Sequence, residues 1–100
     1  MPLDLSTLPH DLIADFCRRN GIRRLAVFGS ALRDDFTPLS DLDVLVEFEP
    51  GARTGLRFFR IQDDLSALLR RQVDLNTPDC LSKYFRQEVL EEAKDLYVAA

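Results

Sequence analysis

Hydrophobic and polar positions along this chain switch between two periods. Over residues 8–20, Leu8, Leu12, Ile13, Phe16 and Cys17 recur at helical spacing, with Arg18 and Arg19 in the last turn and Asn20-Gly21 as a stop. The run "RLAVF" at 24–28 has strand length, "ALRDD" suits a single helical turn, and "TPLS" reads as a loop. In "DLDVLVEF" at 41–48 the period falls to two. Leu42, Val44, Val46 and Phe48 then share one face of a strand, and Asp41, Asp43, Leu45 and Glu47 the other.

"EPGARTG" is a turn-rich connection, after which Phe58, Phe59, Ile61, Leu65, Leu68 and Leu69 mark a second long helix over 56–69. "QVDLNT" gives a third strand, with Val73 and Leu75 on one face and Gln72, Asp74 and Asn76 on the other. Thr77-Pro78 is a helix-start signal, and 77–97 reads as a closing helix. The order helix, strand, turn, strand, helix, strand, helix predicts an α/β (α+β) fold. Its small mixed sheet of three to four strands carries helices on one face and leaves the other open, so polar residues of the open face are where chemistry would sit.

Size and charge narrow the classes. One hundred residues suit one domain spanning 1–100. The net charge of −4 argues against sequence-independent nucleic-acid binding, so no direct nucleic-acid contact is expected. Neither a membrane span nor a signal peptide is visible, and the cytoplasm is the expected compartment. Cys17 and Cys80 both fall in helical patterns and read as buried thiols.

The stretch "FGSALRDDFTPLSDLDVLVEF" carries the chemistry. Asp41 and Asp43 point to the same side of a strand, where two unpaired carboxylates repel. A divalent cation removes that repulsion, and Mg²⁺ takes a few carboxylates while keeping positions for water and phosphate. Asp74 completes the set if its strand lies alongside, and three carboxylates could hold two ions that clamp a displacement at phosphorus. Gly29 lets backbone approach a ligand closely, Ser30 opens a turn whose N–H groups suit a phosphate, and Arg33 could pair with the same phosphates. Taken singly, a Gly-Ser turn, a strand-entry aspartate and a surface carboxylate each have an ordinary explanation. Both readings stay open on the residues alone.

At these residues the chain resembles the minimal nucleotidyltransferases, the smallest branch of the DNA polymerase beta-like superfamily. Their signature is Gly-Ser, ten residues, then Asp-x-Asp, and Gly29-Ser30, 31–40 and Asp41-Leu42-Asp43 match it. Arg33, Asp35 and the Ser40-Asp41 pair match as well, and "VDLNTPDCLSKYFRQEVLEEAKDLY" resembles the third strand and closing helix. The resemblance implies the polymerase beta-like nucleotidyltransferase fold and a reaction of ATP with a hydroxyl. Asp41, Asp43 and Asp74 would be catalytic and hold Mg²⁺, two ions in all. Gly29, Ser30, Arg33 and Ser40 would bind the nucleotide. The implied role is an antitoxin that transfers AMP to a tyrosine of a helical HEPN-domain toxin encoded nearby, with a homo-oligomer as another way to complete the open face. One departure is Asp34, where the family often has glycine; it adds negative charge beside the phosphate loop. The alternatives are a binding module that neutralises a toxin by contact alone and a small-molecule nucleotidyltransferase.

Other residues read as structural. His10 is a surface histidine, Phe58-Phe59 is core plus an exposed aromatic, and Arg53, Arg57 and Arg60 form a solvated helix face. Arg70-Arg71 suits a helix C-terminus, and Tyr84 and Tyr97 are expected half-buried in the last helix.

Overall fold

A computed structural model describes residues 2–37, 39–52 and 54–99; Arg53 lies outside the described residues. Helix α1, His10–Arg19, leads into strand β1, Ile22–Phe28. A short 3-10 turn, Gly29–Leu32, precedes strand β2, Leu42–Phe48, and helix α2, Arg57–Leu69, crosses over to strand β3, Val73–Asn76. Helix α3, Arg86–Glu92, and strand β4, Lys94–Val98, complete the fold. The described strands form one mixed sheet in the order β3-β2-β1-β4. β1 runs antiparallel to β2 and β4, and β2 runs parallel to β3, as a helical crossover between neighbouring strands requires.

Local chemistry sets the boundaries. α1 stops where the Asn20 N–H closes on the Phe16 and Cys17 carbonyls and Gly21 turns with φ +66°. α2 stops at Arg70, which caps it in the left-handed region at φ 55°, its N–H on the Ser66 carbonyl. Alternation along β2 places Leu42, Val44 and Val46 against Ile13, Phe16 and Cys17 of α1 and Ile61, Leu65 and Leu69 of α2. Each large side chain buried there contributes roughly 1.5–3 kcal/mol. Burial pushes the Cys17 thiol up to about 12.

The C-terminal third corrects the sequence reading. In place of one helix over 77–97 the chain makes a 3-10 turn at Pro78–Cys80, then α3, then β4. The Arg86 guanidinium donates to the Pro78 and Leu81 carbonyls at 2.9 and 3.2 Å, which holds 78–86 in a compact turn. After Ala93 the backbone is extended, and Asp95 reaches Arg24 of β1 at 2.6 Å. Cys80 is therefore exposed rather than buried in a helix, while Cys17 is buried and both thiols are free. Tyr84 is 79% exposed in the turn, and Tyr97 is half-buried on β4 rather than in a helix.

α1 and α2 cover one face of the sheet, as expected. On the other, α3 and its approach lay Leu81, Val89, Leu90 and Ala93 over Ala26, Phe28 and Leu45. Farther along that face Arg24 pairs with Glu47 and Asp95, and Arg23 with Glu47. The uncovered part is the end where β2 and β3 begin. Among the described residues no helix is long and apolar enough to cross a membrane.

Candidate active site

Asp43 sits at the centre of this uncovered end. Its register partners are Phe28 on β1 and Asp74 on β3, so two carboxylates stand side by side on adjacent strands. Asp41 lies just ahead of β2, exposed, and its backbone carbonyl accepts the Ser30 hydroxyl at 3.3 Å.

The Gly29–Leu32 turn presses directly on these acids. Gly29 has φ +65°, and a Cβ there would stand 2.6 Å from Asp43 Oδ2. The backbone angle favours glycine, and a Cβ there would force the Asp43 carboxylate to move. Burial, and then the charges of Asp74 and Asp41, raise the Asp43 pKa above its ordinary value; the Ser30 amide and the Arg33 charge pull it back. Arg33, exposed at the end of the turn, is thus within electrostatic reach of the acids.

Ser40 is tied into its own loop. Its hydroxyl accepts the Thr37 N–H at 3.1 Å and shares a hydrogen bond with the Thr37 hydroxyl at 3.2 Å. It shapes the loop that delivers Asp41. Arg71 secures the same loop, its guanidinium 4.9 Å from the Phe36 ring centroid and its Nη1 3.4 Å from the Thr37 carbonyl. No local spacing marks that contact, because Arg71 and Phe36 are far apart along the chain. Glu92 was equally invisible: its carboxylate accepts the Gly29 N–H at 3.3 Å.

Among the described residues no three His, Cys, Asp or Glu side chains are gathered closely enough to enclose a cation. The aspartates form an open array. Its donor set still fits a hard divalent cation: carboxylate oxygens on neighbouring strands, with Asp43 held partly buried beside like charge at a cost that a cation relieves. A cleft of about 640 Å³ between α1 and α2, lined by Phe16, Arg19, Arg57, Arg60, Ile61 and Leu68 among others, contains none of these residues. Arg57 and Arg60 are exposed on its rim, and His10 is exposed with Nε2 2.7 Å from the Leu5 carbonyl.

Comparisons with known proteins bear on the family. The nucleotidyltransferase-domain family model matches residues 10–96. The protein adenylyltransferase MntA of Thermococcus cleftensis is 38% identical over 74 residues, covering 74% of this chain and 74% of the relative. A solved structure provisionally named a minimal nucleotidyltransferase is 39% identical, with a TM-score of 0.70 over 92% of this chain and 95% of that one. A complex of a tri-AMPylated Shewanella oneidensis HEPN toxin with its MNT antitoxin shares the fold, with a TM-score of 0.61 at 23% identity, covering 90% of this chain and 70% of the other.

Proposed function

We propose an activity from one premise: the chain belongs to the nucleotidyltransferase-domain family, in its minimal branch. It is a nucleotidyltransferase, and the reaction we propose is transfer of AMP from ATP to a tyrosine hydroxyl of a HEPN-type toxin, with the chain as antitoxin. The observation that carries this reading is the meeting of Gly29 with Asp43, beside Asp74. A phosphate-type turn and paired carboxylates share one uncovered end of the sheet, which is what displacement at phosphorus needs. Identity to a protein adenylyltransferase supports a protein acceptor, and the AMP-bearing HEPN toxin of the Shewanella complex supports the partner class.

The roles follow from position. The Gly29 and Ser30 amides and the Ser30 hydroxyl bind the outer phosphates of ATP, and Arg33 pairs with them. Asp41, Asp43 and Asp74 would hold Mg²⁺, which would supply charge neutralisation at the phosphates and acidify the acceptor hydroxyl. Asp74, exposed at the edge of the array, faces incoming acceptor and takes its proton. The acceptor oxygen bonds to the α-phosphorus, the bond to the β-phosphate's bridging oxygen breaks, and pyrophosphate departs. Catalysis is mainly positioning and electrostatics. Ser40 serves the nucleotide by holding the loop before Asp41. Use of ATP and of a toxin partner agrees with the expected cytoplasmic setting.

The test is to incubate the protein with Mg-ATP and the HEPN protein encoded beside it and record the partner's intact mass. We expect added AMP units on tyrosine, lost in Asp41→Asn plus Asp43→Asn. An unchanged mass, with toxin still neutralised by the double variant, would establish contact neutralisation instead.

A further inference from the structure

Glu92 is the last residue of α3. Its Oε1 accepts the Gly29 N–H at 3.3 Å. That amide is one the nucleotide-binding reading assigns to a phosphate oxygen. A carboxylate therefore lies on the donor that the substrate's anion would use. The approach is not electrostatically easy, because Asp43 abuts Gly29 and Asp41 and Asp74 stand close to Asp43. It is imposed by packing: Val89, Leu90 and Ala93 seat the end of α3 on Ala26, Phe28 and Leu45. Glu92 itself is exposed and can swing into solvent without disturbing those contacts.

We propose that Glu92 is a latch on the phosphate turn, which holds the Gly29 amide in the nucleotide-free protein and is displaced by the triphosphate. This deepens the nucleotide-binding reading and rests on it. Glu92 is a positioning residue here: it sets how much of the phosphate-binding energy is spent on opening the turn, and it touches no reacting atom. Loose ligands that cannot outcompete a carboxylate are kept out.

Two variants separate charge from occupancy. Glu92→Gln keeps an acceptor over the amide but removes the charge; Glu92→Ala vacates it. Calorimetric titration with Mg-ATP should show about fivefold tighter binding for Glu92→Gln, the scale of one partly solvated charge, and at least that for Glu92→Ala. The gain should shrink in high salt. In the nucleotide-free wild type the Gly29 amide proton should shift in the NMR spectrum when Glu92→Ala is introduced. A structural clasp predicts the reverse order, with Glu92→Ala loosening the turn and binding more weakly. Binding by all three proteins with no gain in either variant overturns the latch alone. Binding by none overturns the nucleotide reading and the latch with it.

Discussion

At the scale of single residues, Asp43 carries most of the electrostatic strain. Its pKa is raised in the folded protein, by burial first and then by Asp74 and Asp41, so the native state holds this proton more tightly than the unfolded chain does. The stabilising contribution is present below the ordinary value of 3.8 and is lost as pH climbs through the raised native value. At neutral pH without divalent ions the charged form costs stability. Asp43→Asn should then raise the melting temperature by about 2 °C, the scale left to a half-exposed carboxylate after solvent screening. The gain should fade in acid as wild-type Asp43 takes up its proton, and thermal scans across pH measure it; a loss at neutral pH would make Asp43 a structural acceptor. Gly29 supplies a second test, because its two demands separate. Gly29→Ala should cost about 2–3 kcal/mol, combining left-handed backbone strain with a Cβ against Asp43 Oδ2. In an Asp43→Ala background only the backbone part, about 1 kcal/mol, should remain. A double-mutant cycle by denaturant unfolding reads the difference, and equal costs in both backgrounds would remove the steric clash from the account.

At the scale of elements, α1, α2, β2 and β3 were legible because each bears a clean period, and β1 because an apolar run of strand length marks it. Leu42, Val44 and Val46 kept their face of β2, while Asp41 fell just ahead of the strand. The shared face of Asp43 and Asp74 was legible for the same reason, and the parallel register of β2 and β3 then makes the two residues partners. Two things were not legible. The run 86–97 keeps apolar residues at Val89, Leu90, Leu96 and Tyr97, a spacing a helix tolerates, so nothing local announces that the backbone turns extended after Ala93. What decides it is pairing with β1, far earlier in the chain. Nor could Arg71 be tied to Phe36, or Glu92 to Gly29, from one-dimensional spacing. Charge alone makes Arg70 favourable at the helix end, yet the backbone there is left-handed, at φ 55° on a side chain that prefers otherwise. Arg70→Gly should therefore stabilise the protein by about 0.5–1 kcal/mol despite losing a cation at a helix C-terminus. Urea unfolding tests this, and a net loss would mean the dipole term outweighs the backbone term.

At the scale of the whole molecule, the short β4 has consequences beyond its length. It is the outer strand beside β1, so without it the β1 edge would present unpaired N–H and C=O groups. It also brings Leu96, 8% exposed, into the core shared by α1 and the central strands, and Asp95 to the Arg24–Glu47 pair. The start of β4 lies directly after α3, whose last residue reaches the Gly29 turn. A defect in β4 should therefore be felt at two distances. Leu96→Ala should cost about 3 kcal/mol through the cavity it leaves, which in a chain of this size lowers the melting temperature by more than 10 °C. Removing residues 94–100 should do more, because it strips the ladder from β1 as well as the side chain. We expect that truncation to lose its cooperative thermal transition and its near-ultraviolet circular dichroism while retaining helical signal from α1 and α2. If the truncated chain instead melted cooperatively within a few degrees of the full chain, β4 would be an ornament of the sheet. The placement of α3 over Phe28 and Leu45 would then have to rest on its own apolar contacts alone.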